Sequence, residues 1–233
     1  MIKTIFLSLL ISTSAWATDF GKCNSFFPGG KAPTLNIPDT KPLCFNDFAI
    51  LYSVKTKSPI YCVERLSYLT TKHNKLKRSN HFHEEPMLKQ SERSTLKDYQ
   101  NSGYDRGHIC PAQFRRNEVA MEESFSLANM VPQTKNSNRK VWNKNVETPT
   151  LKYIKKNSVG DVYVFTGPIY SKNPKTIGRN KVAVPEHLFK VVYDAGKKKS
   201  WVHWISNSDD AKMVPPITYE EFKKRSGLNL LGQ

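Results

Sequence analysis

The chain has 233 residues, 38% of them hydrophobic, with 36 Lys and Arg against 20 Asp and Glu, a formal net charge of +16. That length fits one large domain or two small ones and can bury a substantial core without staples. Beyond the first residues no apolar run reaches bilayer-spanning length, which excludes a later membrane helix, and the charge predicts attraction to polyanions without specifying a fold.

The N-terminus reads as a processing segment. Met1-Ile2-Lys3 is a short positive start, Ile5 to Ile11 is apolar, and Ala15-Trp16-Ala17 has the small-x-small pattern of a signal-peptidase site. The expectation is a signal peptide at 1–17 and a soluble exported chain, periplasmic or secreted, with no membrane association after cleavage. Lys3 is the one charged residue of that segment, so the mature charge is +16 − 1 = +15. No Gly/Ser/Pro-rich linker or repeat divides the rest, so 18–233 reads as a single domain with an N-terminal arm over 18–44. Four cysteines remain, which in an exported chain suggests two disulfides. Three pairings are open. The preferred one joins Cys23–Cys44, tying down the arm, and Cys62–Cys110, holding the strand after His108 against an earlier strand. A zinc site on these cysteines is disfavoured because there is no Cys-x-x-Cys pair.

In chain order, Phe48–Val54 and Ile60–Leu69 read as strands, and Leu76–Leu88 as a charged, irregular loop. Asn101-Ser102-Gly103 is a turn signal. Tyr104–Cys110 is β-compatible and ends at Pro111. Glu118–Ala128 has helical spacing. Asn129–Gln133 is expected to be loop, because Pro132 blocks a helix. Asn136–Val146 reads as a helix that stops before Pro149. Asp161–Phe165 is a buried strand. Leu188–Tyr193 and Lys199–Ser206 form a hairpin around Ala195-Gly196, and Tyr219–Arg225 is a helix capped at Gly227. Strands outnumber helices without strict alternation. The pattern is α+β: a mixed or antiparallel central sheet with flanking helices.

The chemistry concentrates in Asp105-Arg106-Gly107-His108, followed by Asn129-Met130-Val131-Pro132-Gln133 and then Asn138 and Trp142. A histidine beside a fixed positive charge is held neutral near pH 7 and can accept a proton; Arg106 is the candidate for that charge. The ordered set, with Arg78 before it and "VYVFTGPIY", "VAVPEHLFKVV" and "ITYEEFKKRSGL" after it, resembles the DNA/RNA non-specific endonucleases of the ββα-metal superfamily, from about Phe45 onward.

That resemblance implies an Mg²⁺-dependent hydrolysis of DNA and RNA with little sequence specificity, with Mn²⁺ as a possible substitute. It implies His108 as general base, Asn138 as metal ligand, and Arg106 and Arg78 at the scissile phosphate. Asn129 and Asp105 are expected as supporting residues, and Gly107 as a point of close packing. Trp142 reads as core. The sequence departs from the family pattern at the glutamate expected four residues after Trp142: Val146 stands there and Glu147 follows. On an α-helix, nine residues from Asn138 is about 180° away, whereas Asn145, seven residues on, lies on nearly the same face. Glu147 serves only if the helix is bulged or ends early, so Asn145 and Glu147 both stand as candidates for the metal's outer shell. His81 and His83, in a charged loop, read as solvated residues rather than ligands. The rival readings are a catalytically impaired nucleic-acid-binding protein of the same fold and a phosphodiesterase for small substrates, which would gain little from the +15 surface.

Overall fold

The computed structural model describes residues 19–71 and 76–232; the expected signal peptide lies outside them. In chain order come strands β1 (Thr40–Cys44), β2 (Ala49–Ser53) and β3 (Ser58–Leu66), and two short helices, α1 (Tyr68–Thr71) and α2 (Leu96–Tyr99). Strand β4 (Asp105–His108), helix α3 (Glu118–Glu123) and strand β5 (Met130–Gln133) follow. A π-helix (Ser137–Glu147) then runs directly into α4 (Thr148–Asn157). Strands β6 (Val162–Ile169), β7 (Thr176–Ile177), β8 (Val182–Ala183), β9 (His187–Asp194) and β10 (Lys199–Ser206) precede α5 (Tyr219–Ser226). Among the described residues no helix is long and apolar enough to cross a membrane.

Six strands form one sheet in the order β1-β2-β3-β6-β9-β10, and every neighbouring pair is antiparallel. The sheet is covered on both faces, which is why β2 reads as a continuous apolar run rather than an alternation. Its alternate residues go to opposite layers. Ile50 and Tyr52 join Ile109, Val131, Trp142 and Val146 under the β4–β5 ribbon, while Ala49 and Leu51 join Phe27, Phe165, Phe222 and Leu230 under the N-terminal arm and α5. The architecture is the expected α+β.

Both expected disulfides are present. Cys23–Cys44 pins the arm to the end of β1, and Cys62–Cys110 ties β3 to the residue two beyond His108. With sequence separations of 21 and 48, removing them is expected to cost about 3 and about 4 kcal/mol respectively. Melting curves of Cys23→Ser/Cys44→Ser and Cys62→Ser/Cys110→Ser check this. The second pair should lower Tm more; the reverse order contradicts the estimate.

Several element boundaries differ from the sequence reading, each for a local reason. β3 ends at Leu66 and the chain turns into α1, with the Ser67 carbonyl accepting from the Thr71 N–H. α3 stops at Glu123 rather than Ala128, and a 3₁₀ turn at Leu127–Asn129 follows, opened by the Ser126 hydroxyl accepting from Ala128 N–H. Residues 130–133 are strand, not loop. Pro132 pairs with Arg106, and the flanking Asn129–Ile109 hydrogen bond places that pair at a non-hydrogen-bonded position, where a missing N–H costs nothing. Pro149 does not end the helix either: it sits in the first turn of α4, where its N–H is not required.

Lys190 on β9 and His203 on β10 face each other across the register, both buried. Burial first, then the Lys190 charge, pushes the His203 imidazole down to about 4. The unfolded chain takes up this proton near pH 6.5 and the native chain only near 4, so stability falls as pH drops through that window. In His203→Gln, the dependence of unfolding free energy on pH between 6 and 4.5 should be shallower by about one proton, roughly 1.4 kcal/mol per pH unit. An unchanged slope contradicts this assignment.

Candidate active site

The β4–β5 ribbon and the π-helix form a ββα unit packed on the sheet. Gly107 lies directly against the Gln133 side chain, and a Cβ at Gly107 would overlap the Gln133 amide oxygen. Glycine therefore lets the two strands close beside His108. Asn129 is fully buried. Its Oδ1 accepts from Cys110 N–H at 2.9 Å, and its Nδ2 donates to the carbonyls of Cys110 (2.8 Å) and Ser124 (2.9 Å). It spends its polar atoms fixing the strand exit after His108, so it supports the fold of the site.

His108 is 8% exposed, and its Nε2 has no hydrogen-bond partner. Burial first, and then the Arg78 charge, holds the imidazole down at about 3. The cation acting on it is Arg78, not the adjacent Arg106 as the sequence suggested. Arg106, two residues before His108, shares its face of β4, but its guanidinium is drawn over the Phe82 ring, and the charge that acts on the imidazole is that of Arg78. The ring sits edge-on to Phe125 at 4.8 Å and 5.8 Å from Phe82. Those two aromatics also carry the arginines, with Arg78 over Phe125 at 4.9 Å and Arg106 over Phe82 at 4.2 Å. The sequence reading missed this aromatic bracket; Phe82 lies in what reads as a polar loop and Phe125 in what reads as a helix core.

Asp105 has two functions. It receives a bidentate pair from Arg139 (2.7 and 2.6 Å) and accepts from Asn138 Nδ2 at 3.0 Å. Burial raises its carboxyl, but these bonds outweigh it and hold it below the usual carboxylate range. Because the carboxylate takes the amide nitrogen, the Asn138 oxygen is turned away from it. That leaves a neutral, hard oxygen donor of the kind Mg²⁺ accepts alongside several waters.

Residues 31–230 match the profile of the DNA/RNA non-specific endonucleases. The chain belongs to this family. Relatives include bovine (Bos taurus) mitochondrial endonuclease G, 33% identical over 62% of this chain and 51% of its own length. Nuclease C1 of Cunninghamella echinulata var. echinulata is 39% identical over 48% and 47%. The mitochondrial nuclease of Saccharomyces cerevisiae is 31% identical over 63% and 48%. The chain thus spans about half the length of these relatives. The solved EndoG/EndoGI complex, which addresses EndoG inhibition, aligns at TM-score 0.74 and 29% identity, covering 82% of this chain and 86% of that one. Two of these relatives are mitochondrial enzymes, as are nucleases matched from human and zebrafish (Danio rerio). That finding overturns the periplasmic or secreted placement expected from residues 1–17.

In this endonuclease-family chain, the displaced glutamate has a structural answer. From Ser137 to Glu147 the helix is π-wound, and Thr148 N–H reaches back five residues to the Asn143 carbonyl. An α-helix would set Glu147 half a turn out of phase with Asn138. A π-helix, at roughly 80° per residue, brings nine residues to about two full turns, back into phase. Side-chain contacts agree: Trp142 Nε1 donates to Glu147 Oε1 at 3.1 Å, five residues on, and Gln113 Nε2 donates to Oε2 at 3.1 Å. Glu147 is buried. Its burial raises the carboxyl, opposed by Lys190, by the Trp142 bond and by Arg78. Asn145 is solvent-exposed; the π-winding carries it to the far face, away from Asn138. Arg78 and Gln113 also line a cavity of about 270 Å³ together with Lys155.

Proposed function

We propose that this chain is a metal-dependent endonuclease hydrolysing phosphodiester bonds in DNA and RNA with little sequence preference. Residues 18–233 act as one catalytic domain and residues 1–17 as a removable leader. The observation carrying this reading is a neutral, buried His108 with an unpartnered ring nitrogen, in the same ββα unit as an asparagine whose oxygen is freed by Asp105. His108 takes the proton from the attacking water at its imidazole. Arg78 and Arg106, braced on Phe125 and Phe82, hold the scissile phosphate through charge-assisted bonds.

Asn138, through Oδ1, and Glu147, on the same face of the π-helix, would hold the metal. When bound, Mg²⁺ (or Mn²⁺ in its place) would neutralise charge developing on the phosphate and polarise the leaving oxygen. The family resemblance implies 5′-phosphate ends. Exposed Lys135, Lys140 and Lys144 flank the site and would bind backbone phosphates without reading bases. The rival reading as an impaired nucleic-acid-binding protein drew on the displaced glutamate, and the π-winding removes that ground.

The test is incubation of a duplex DNA and a single-stranded RNA of defined sequence with the purified protein. In Mg²⁺ both should be cut at many positions, and EDTA should stop cleavage of both. Retention on a gel without cutting, in Mg²⁺ and in Mn²⁺, overturns the enzymatic reading.

A further inference from the structure

The segment that carries Arg78 has a second face. Phe82 packs toward the site, with its ring 4.9 Å from Phe125 and 5.8 Å from His108. Its neighbours His81 and His83 instead converge on Glu122 of α3. One ring nitrogen from each histidine and one Glu122 carboxylate oxygen lie within 4.8 Å of one another. His81 Nδ1 meets Glu122 Oε1 directly, and His83 Nδ1 is 3.8 Å from the same oxygen. The other carboxylate oxygen accepts from the Ser79 hydroxyl at 2.9 Å, which orients the carboxylate with Oε1 toward the two rings. His83 Nδ1 is 3.1 Å from the His81 carbonyl, a contact that fixes the ring and selects its tautomer.

We propose that His81, His83 and Glu122 form a second metal site, for a zinc-class divalent cation, separate from the catalytic centre. The donor set decides the metal class. Two imidazoles and a carboxylate suit zinc and its transition-metal neighbours, whereas Mg²⁺ takes oxygen ligands. Zinc bonds of about 2.0–2.2 Å set tetrahedral ligand atoms roughly 3.3 Å apart, so the widest gap must close by about 1.5 Å. The side chains of His81 and Glu122 are 76% and 44% exposed, so the movement falls on these two, while His83, 28% exposed, stays held by its carbonyl contact. With His81 and Glu122 exposed, solvent would supply the remaining ligand.

The site's position gives it a consequence. A metal there ties the Arg78–Phe82 segment to Glu122 of α3, three residues before Phe125, and so fastens both halves of the aromatic bracket around His108. It supplies no catalytic group; it holds the arginine-bearing segment in place.

Zinc binding is measured without nucleic acid, so its outcome is independent of whether the chain is a nuclease. The EDTA-stripped, dialysed protein is titrated with Zn²⁺ by calorimetry in excess Mg²⁺, with Co²⁺ absorption as a second readout. One equivalent should bind. His81→Ala and Glu122→Gln should each weaken binding at least tenfold and abolish the Zn²⁺-induced rise in Tm, while Asn138→Ala and His108→Ala should keep both. Unchanged binding in His81→Ala, absence of binding in the wild type, or loss of the zinc equivalent in Asn138→Ala each overturns the proposal.

Discussion

Replacing His108 by alanine is expected to lower cleavage of plasmid DNA in Mg²⁺ by about 1000-fold, within the usual range for a positioned general base, with the fold retained. The imidazole is the one group in the ββα unit that is both neutral at physiological pH and equipped with an unpartnered buried nitrogen. Its neighbours are aromatic edges and arginines, none of which can accept a proton from water. Binding should survive, because Arg78, Arg106 and the flanking lysines are untouched; the loss should fall on kcat rather than on KM. Truncating a buried ring costs some stability, so the comparison needs matched circular dichroism spectra and melting curves. A variant that folds and still cuts at more than a tenth of the wild-type rate contradicts the assignment of His108 as base.

The second large effect separates two residues that the sequence left level. Glu147→Ala is expected to reduce activity, or raise the Mg²⁺ concentration needed for it, by about 10–100-fold, the usual cost of losing a metal-supporting partner. Asn145→Ala should stay within about twofold. The difference follows from helix winding alone. Glu147 is buried and bonded to Trp142 and Gln113, whereas Asn145 points to solvent. Glu147 also faces the buried Lys190, whose ammonium donates to Thr166 Oγ1 at 2.6 Å. Removing the carboxylate leaves that cation without its counter-charge in Ala and Gln variants alike, so Glu147→Asp, which keeps the charge, and matched melting curves are the controls for stability. Equal losses at 145 and 147, or a loss at 145 alone, would return the helix to α-register and undo this account of the site.

Much of the site was legible in the sequence because its chemistry is local. Asp105, Arg106, Gly107 and His108 are consecutive, and β4 alone arranges them. The β9–β10 hairpin and α5 were equally readable, since Lys198 with φ 51° and Gly227 with φ 69° close them by short-range turn geometry. Two features were not legible for a physical reason. Periodicity assumes one winding per helix, so a π-helix makes Glu147 look misplaced although it is in phase. Which arginine depresses His108 depends on tertiary packing: Arg78 is thirty residues earlier and acts on the ring with its guanidinium stacked over Phe125. The strand at 130–133 was hidden similarly, since Pro132 is tolerated only at the non-hydrogen-bonded position that pairing with Arg106 provides.

The central claim is that the ββα unit around His108 makes this chain a metal-dependent nuclease. Digestion of supercoiled plasmid by the purified wild-type protein and by His108→Ala, each with Mg²⁺ and with EDTA, tests it most directly. The account predicts nicked, linear and then fragmented DNA for wild type in Mg²⁺ alone, with the plasmid intact in the other three reactions. Intact but gel-retarded plasmid with wild type in Mg²⁺, or equal cutting by His108→Ala, would contradict it.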